Sequence, residues 1–161
     1  MRDVSDDRKE MFAIWAEGNH ALAQLGGIVR RSGLEASLLE LVKTRASQIN
    51  GCAYCLDMHT KDARAAGETE QRLYGLNAWR DAPFYTDRER AALALTESVT
   101  LIASSHPAIG EIDQAASVFS PDELTKLVFA IIEINAWNRL AIATGVFEPG
   151  SYQPPPGSTR S

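Results

Sequence analysis

Glu40-Leu41-Val42-Lys43-Thr44-Arg45-Ala46-Ser47-Gln48-Ile49-Asn50-Gly51-Cys52-Ala53-Tyr54-Cys55-Leu56-Asp57-Met58-His59 holds both cysteines of the 161-residue chain and one of its three histidines. Upstream of the cysteines, Leu34, Leu38, Leu41, Val42, Arg45 and Ile49 fall on one stripe at helical spacing, which predicts a helix from Leu34 to about Asn50. Gly51 stops it. A second helix begins near Cys52 and reaches Ala66, with Gly67 placed as its C-cap. The two thiols therefore open one helix directly after another has closed.

On a regular helix, Cys55 lies about 300° and His59 about 340° around the axis from Cys52, so all three side chains share a sector of about 60°. Cys55 and His59 are about 6 Å apart along the axis and Cys52 is roughly 10 Å from the ring, so His59 serves Cys55 more directly. Sulfurs at i and i+3 can bridge if their Cα atoms come within about 4.4 to 6.8 Å. A dithiol switch is geometrically open. Its chemistry needs a thiolate, and at a pKa of about 8.5 only about 3% of a cysteine is ionised at pH 7. Lowering that pKa by two units takes about 2.7 kcal/mol, while a helix N-terminus supplies about 0.3 to 1, rising to ~2 when partly buried. The remainder falls to His59 as proton acceptor or imidazolium partner. Glu40, on the preceding helix, is a candidate to orient that ring, but it shares a polar side with Lys43, Thr44 and Ser47, and residue spacing alone does not separate an orienting acid from a solvated one.

The remaining sequence is read as helices only. One is expected from Asp6 to about Leu25, closed by Gly26-Gly27, and a shorter one from Glu70 to Trp79, broken by Gly75 and followed by an Asp81-Ala82-Pro83 linker. Thr86-Asp87-Arg88-Glu89 has the form of a capping box and opens a helix to about Ser104. After His106-Pro107, a helix from about Ala108 to Val118 precedes Ser120-Pro121-Asp122-Glu123, which starts a last long helix ending at Gly145. Residues 1–147 make one domain. The tail 148–161, with Pro149, Gly150, Pro154, Pro155, Pro156 and Gly157, is expected to be disordered or packed on a neighbouring subunit.

Composition sets the surroundings. Hydrophobic residues make up 45%, charged residues 23%, and the formal charge is −5, an ordinary globular balance that argues against a nucleic-acid partner. The first ten residues are charged throughout and no run of about 18 apolar residues is evident, so neither a secretory signal nor a membrane span is expected. The expected location is cytoplasmic. Structural disulfides are rare there, which favours catalysis or metal binding for two close cysteines.

The run Glu40 to Cys55 with His59 resembles the core motif of the AhpD-like alkylhydroperoxidases, within the carboxymuconolactone decarboxylase superfamily. Ile134-Asn135-Ala136-Trp137-Asn138-Arg139-Leu140 resembles their last helix. The resemblance implies an all-α bundle of about six to eight helices, assembled as a homotrimer or homohexamer. It also implies reduction of alkyl hydroperoxides or hydrogen peroxide without a metal or organic cofactor. By that pattern Cys55 is the peroxidatic nucleophile, Cys52 resolves its sulfenic acid into a disulfide, Glu40 and His59 relay the proton, and an external dithiol or protein reductant closes the cycle. Tyr54 stands where founding members carry histidine, and a phenol of pKa about 10 donates a hydrogen bond at pH 7 but is no base.

Other readings of the same residues are a thiol–disulfide oxidoreductase or redox sensor without peroxidase turnover, a lactone decarboxylase, a pair of buried free thiols, or a zinc site of Cys52, Cys55, His59 and Glu40. The last would stretch one tetrahedral centre along about 10 Å of helix. His20 and His106 read as surface or capping residues, and Trp15, Trp79 and Trp137 as packing, with Trp137 also suited to an interface or access route. Glu133, set among Leu127, Val128, Phe129, Ile131, Ile132 and Ile134, needs a partner such as Arg139 or a residue on another helix.

Overall fold

A computed structural model describes residues 7, 9, 10, 13–104 and 109–155. Residues 7, 9, 10, 13 and 14 are helical, and after a turn at Trp15, which breaks the helix expected from Asp6 to Leu25, follow α1 (Ala16–Arg30), α2 (Ala36–Asn50), α3 (Ala53–Ala65), α4 (Glu70–Tyr74), α5 (Asp87–Thr100), α6 (Ile109–Ala116) and α7 (Pro121–Thr144), with a 3₁₀ turn at Leu76–Ala78. No strand occurs among the described residues. The fold is all-α, within the expected range of helix number.

α2 is the centre of the bundle, packed against α3, α5 and α7. Of its apolar stripe Leu38, Leu41 and Val42 are accordingly buried and Arg45 and Ile49 half-buried, and Lys43, Thr44 and Ser47, which the sequence places on a polar side, are buried too. A helix touched on three sides has almost no polar side left. Leu38, Leu39 and Val42 join Val29, Leu95, Phe119, Leu127 and Ile131 in the larger core, while Leu41 joins Leu73, Leu76, Trp79, Tyr85 and Leu93 in a second. Each such side chain contributes roughly 1.5 to 3 kcal/mol by leaving water.

The two capping boxes appear as expected. Thr86 and Glu89 start α5, and Ser120 and Glu123 start α7 with Pro121 in its first turn. α5 ends at Thr100, with turns through Ser104. α7 stops at Gly145, whose φ of 61° is a left-handed value that glycine adopts without strain. By length and composition α7 is apolar enough to cross a membrane, contrary to the sequence reading, yet it is a core helix of the bundle and buries Glu133, Asn135 and Asn138. Trp79 is buried, whereas Trp15 is largely exposed at the turn before α1.

α1 corrects the sequence reading. Gly26 and Gly27 do not end it; the helix runs through both to Arg30 and buries them. A Cβ on Gly26 would stand 2.7 Å from Glu133 Oε1, so this glycine gives a carboxylate on α7 room to approach the α1 backbone. His20 is exposed. Parts of the expected first helix (residues 6, 8, 11 and 12), the His106-Pro107 interruption and residues 156–161 lie outside the described residues. For the tail, residues 150–152 take a course that composition did not offer: they lie on α3 of the same chain. Gly150 N–H donates to Asp57 Oδ2 at 3.1 Å, Lys61 Nζ to the Tyr152 carbonyl at 2.9 Å, and Tyr152 OH to Asp62 at 2.8 Å.

Candidate active site

The α2–α3 junction is built by the backbone. Gly51 turns left-handed at φ 70°, its N–H donates to the Gln48 carbonyl at 3.3 Å, and Cys52 N–H donates to the Ser47 carbonyl at 3.0 Å. This pair of bonds is a Schellman stop. Cys52 then caps α3: its Sγ accepts the Cys55 N–H at 3.3 Å, a sulfur where an oxygen usually stands. Cys52 and Cys55 are disulfide-bonded with Cα atoms 5.3 Å apart, and both are buried in a small apolar cluster with Ala141, Tyr54 and Phe147.

An amide network ties the junction to α7. Asn50 Nδ2 donates to Asn135 Oδ1 at 3.0 Å and to Asn138 Oδ1 at 2.8 Å, and Asn138 Nδ2 donates to Ser47 Oγ at 3.0 Å. The segment Ile134-Asn135-Ala136-Trp137-Asn138 carries a visible signal for this: two amides three residues apart on an otherwise apolar helix need buried partners. Their anchoring role was not legible from α7 alone.

Cys55 lines a cavity of about 280 Å³ with His59, Tyr54, Met58, Trp137 and Phe147. Cys52 is not part of that wall. Tyr54 stacks on Phe147 with ring centroids 4.9 Å apart. His59 is buried, and its Nδ1 lies 2.8 Å from Glu40 Oε2. An ionised carboxylate only accepts, so this bond puts a proton on Nδ1 and leaves Nε2 as the basic nitrogen of the neutral ring. Glu40 is thus brought to His59 from α2.

Two features of the neighbourhood were missed in the sequence. Asp62 lies beside the pair, the ligand atoms of Glu40, His59 and Asp62 falling within 4.8 Å of one another. This differs from the zinc set considered above, whose sulfurs are joined to each other. Burial pushes the Asp62 carboxyl up, against the Tyr152 hydrogen bond and with the added push of Glu40. Burial and the Asp62 carboxylate push the Tyr152 phenol up in turn. The second feature is Lys43, whose Nζ lies 3.1 Å from Glu133 Oε2 with each side chain 4% exposed. Their alignment is too poor for a hydrogen bond, so Oε2 has an ionic partner and no donor. Glu133 therefore pairs with α2 and not with Arg139, which donates to Asn135. Lys43 and Glu133 both line the cavity.

The carboxymuconolactone decarboxylase family profile matches residues 16–98, spanning α1 to most of α5 and therefore the whole Glu40–His59 segment. The chain belongs to the carboxymuconolactone decarboxylase family. Within it the chain is AhpD-like. It is 38% identical to a crystal structure from Agrobacterium tumefaciens, ATU0492, a protein of unknown function provisionally described as the antioxidant defence protein AhpD; the TM-score is 0.80, covering 89% of this chain and 95% of that one. YdfG of Bacillus subtilis (strain 168), itself uncharacterized, is 41% identical over 138 residues, 86% of this chain and 94% of YdfG. The fold extends further. A cysteine-to-alanine variant of the debrominase Bmp8 in complex with 2,3,4-tribromopyrrole shares it at TM-score 0.73 and 18% identity, covering 81% of this chain and 70% of that one.

Proposed function

We propose that this carboxymuconolactone decarboxylase family member is a thiol-dependent peroxidase, reducing alkyl hydroperoxides or hydrogen peroxide through a Cys52/Cys55 dithiol–disulfide cycle. The observation that carries the reading is the joined Cys52–Cys55 pair, with Cys55 at the wall of a cavity that also holds His59, itself bonded to Glu40. In the reduced protein His59 Nε2 takes the Cys55 proton. The thiolate attacks the distal peroxide oxygen, the O–O bond breaks, and the alkoxide or hydroxide leaves with the proton returned by His59. Cys55 is then a sulfenic acid. Cys52 attacks its sulfur and water leaves, forming the disulfide. An external dithiol or protein reductant supplies two electrons and two protons to restore both thiols.

Glu40 acts through His59, holding its tautomer, and Tyr54 contributes wall and a phenolic donor. The chain works in the cytoplasm as a homotrimer or homohexamer. Support for assembly comes from large apolar side chains left exposed, Phe129 at 50% and Ile142 at 53% on α7 and Ile28 at 60% on α1.

The test is a stoichiometric hydroperoxide pulse on the reduced protein. The Cys52–Cys55 peptide loses two hydrogens in the wild type, and Cys52→Ser accumulates a sulfenic acid on Cys55. Dithiol-driven turnover by Cys52→Ser equal to wild type removes the resolving role, and no peroxide consumption by either protein removes the peroxidase reading.

A further inference from the structure

We infer that the cavity selects organic hydroperoxides that carry an anionic group, a carboxylate, and that Arg30 on α1 receives it. This rests on the peroxidase reading, whose substrate it narrows. Three observations converge.

The first is the wall. Met58, Trp137, Phe147 and Ala141 give the cavity an apolar lining, and about 280 Å³ is far more than hydrogen peroxide fills. The space suits an aryl or short alkyl body packed on aromatic faces.

The second is charge. Lys43, Glu133 and Arg30 line this same cavity. The Glu133 charge is answered by Lys43 at 3.1 Å, which leaves one positive charge over. Arg30 Nη1 stands 3.7 Å from the point where a Gly26 Cβ would lie, and Glu133 Oε1 stands 2.7 Å from the same point. The guanidinium is therefore next to the buried pair but forms no ion pair with it. A monoanionic ligand balances the cluster.

The third is that Arg30 is unusual among the arginines of the described residues. Arg45, Arg64, Arg72, Arg80 and Arg88 each hold a carboxylate. Arg90 donates to the carbonyls of Trp79, Tyr85 and Ala82, and Arg139 donates to Asn135. The Arg30 guanidinium has no hydrogen bond or ion pair among the described residues, and its neighbour Arg31 shares that condition without reaching the cavity that holds Cys55. An exposed planar fork of donors at the rim of an apolar cavity, bonded to no other described side chain, matches a carboxylate in geometry as well as charge.

The experiment compares cumyl hydroperoxide bearing a para-carboxylate with its methyl ester, using wild type, Arg30→Gln, Arg30→Lys and Arg31→Gln. The wild type should prefer the carboxylate in kcat/KM. Arg30→Gln should lower that preference about tenfold, mainly through KM, as the loss of one charged hydrogen bond does. Arg30→Lys should restore part of it, and Arg31→Gln should keep it. Equal kcat/KM for acid and ester in the wild type, or a preference that survives Arg30→Gln, overturns the inference while leaving the peroxidase reading intact. If neither hydroperoxide is reduced, the peroxidase reading fails. Calorimetry with the corresponding cumyl alcohols then decides the anion site by itself: tighter binding of the acid than of its ester, lost in Arg30→Gln, supports it, and equal binding ends it.

Discussion

Replacing Lys43 by methionine tests whether the buried pair at the cavity is an ion pair in energetic terms. Lys43→Met leaves the Glu133 carboxylate, 3% exposed and close against the α1 backbone, without its ionic partner. Breaking a buried pair from one side costs about 3 to 5 kcal/mol. For a domain of this length each kcal/mol moves the melting temperature by roughly 2 to 4 °C, so the shift should be on the order of 10 °C. The Lys43→Met/Glu133→Leu double variant, which removes both charges, should recover most of that loss. A surface pair makes the contrast: Lys126 and Asp122 are 2.5 Å apart with 37% and 73% exposure, and Lys126→Met should cost only about 0.3 to 0.5 kcal/mol. Urea unfolding of the wild type, these three variants and the Glu133→Leu single gives the values. A Lys43→Met loss below about 1 kcal/mol, or a double variant no better than the sum of its singles, would refute the reasoning, since either result means that solvent or another group already answers the carboxylate.

Three further outcomes follow from the same contacts. Tyr152→Phe deletes the phenolic donor to Asp62 and should cost about 0.5 to 1.5 kcal/mol; unchanged urea stability together with unchanged amide exchange in α3 would show that the tail does not hold this carboxylate. Gly26→Ala places a methyl 2.7 Å from Glu133 Oε1 and should destabilise by about 1 to 3 kcal/mol, the opposite of the usual gain for alanine inside a helix, so a higher melting temperature would contradict the close approach. Burial pushes the Glu97 carboxyl up, but hydrogen bonds from Trp79, Arg45 and Arg80 outweigh it and hold the group below 4.5. A depressed carboxyl contributes stability above its unfolded pKa that is lost as pH falls through the folded one, so Glu97→Gln should flatten the decline of the urea midpoint below about pH 4.5; parallel acid limbs in variant and wild type would count against it.

The features legible in the sequence are those whose partners lie within a turn or two. The stop at Gly51, the caps at Thr86 and Ser120, and the i, i+3 spacing of Cys52 and Cys55 all depend on local backbone geometry that residue type dictates. Gly26-Gly27 has the same composition as a helix stop, but its reason is a carboxylate on α7. Nothing near residue 26 in sequence carries that information. Glu40 is not distinguishable from its neighbours in the sequence, because α2 is enclosed on three sides and the side that reads as polar holds the buried Lys43, Thr44 and Ser47. Asp62 and Tyr152 meet across 90 residues, and Arg30 is conspicuous only once the other described arginines except Arg31 have been given their acceptors and Arg31 is seen to lie outside the cavity that holds Cys55.

The same division between local and distant contacts bears on how the proposed cycle runs. Lowering a thiol pKa by two units takes about 2.7 kcal/mol, and the helix N-terminus contributes at most ~2. That contribution reaches Cys52 directly, since its Sγ is the atom that accepts the Cys55 N–H. Cys55 faces the cavity with His59 instead. On the proposed cycle the two cysteines are therefore activated by different means: Cys55 by the imidazole that Glu40 orients, Cys52 by the helix it caps. Thiol–disulfide exchange proceeds fastest when the departing sulfur is the better-stabilised thiolate. A reductant that enters by the cavity meets Cys55, and the sulfur released by its attack is the one already held against a backbone N–H. Peroxide and reductant thus converge on the same sulfur, and Cys52 needs no opening to solvent in either half of the cycle, which accords with its place outside the cavity lining that Cys55 joins.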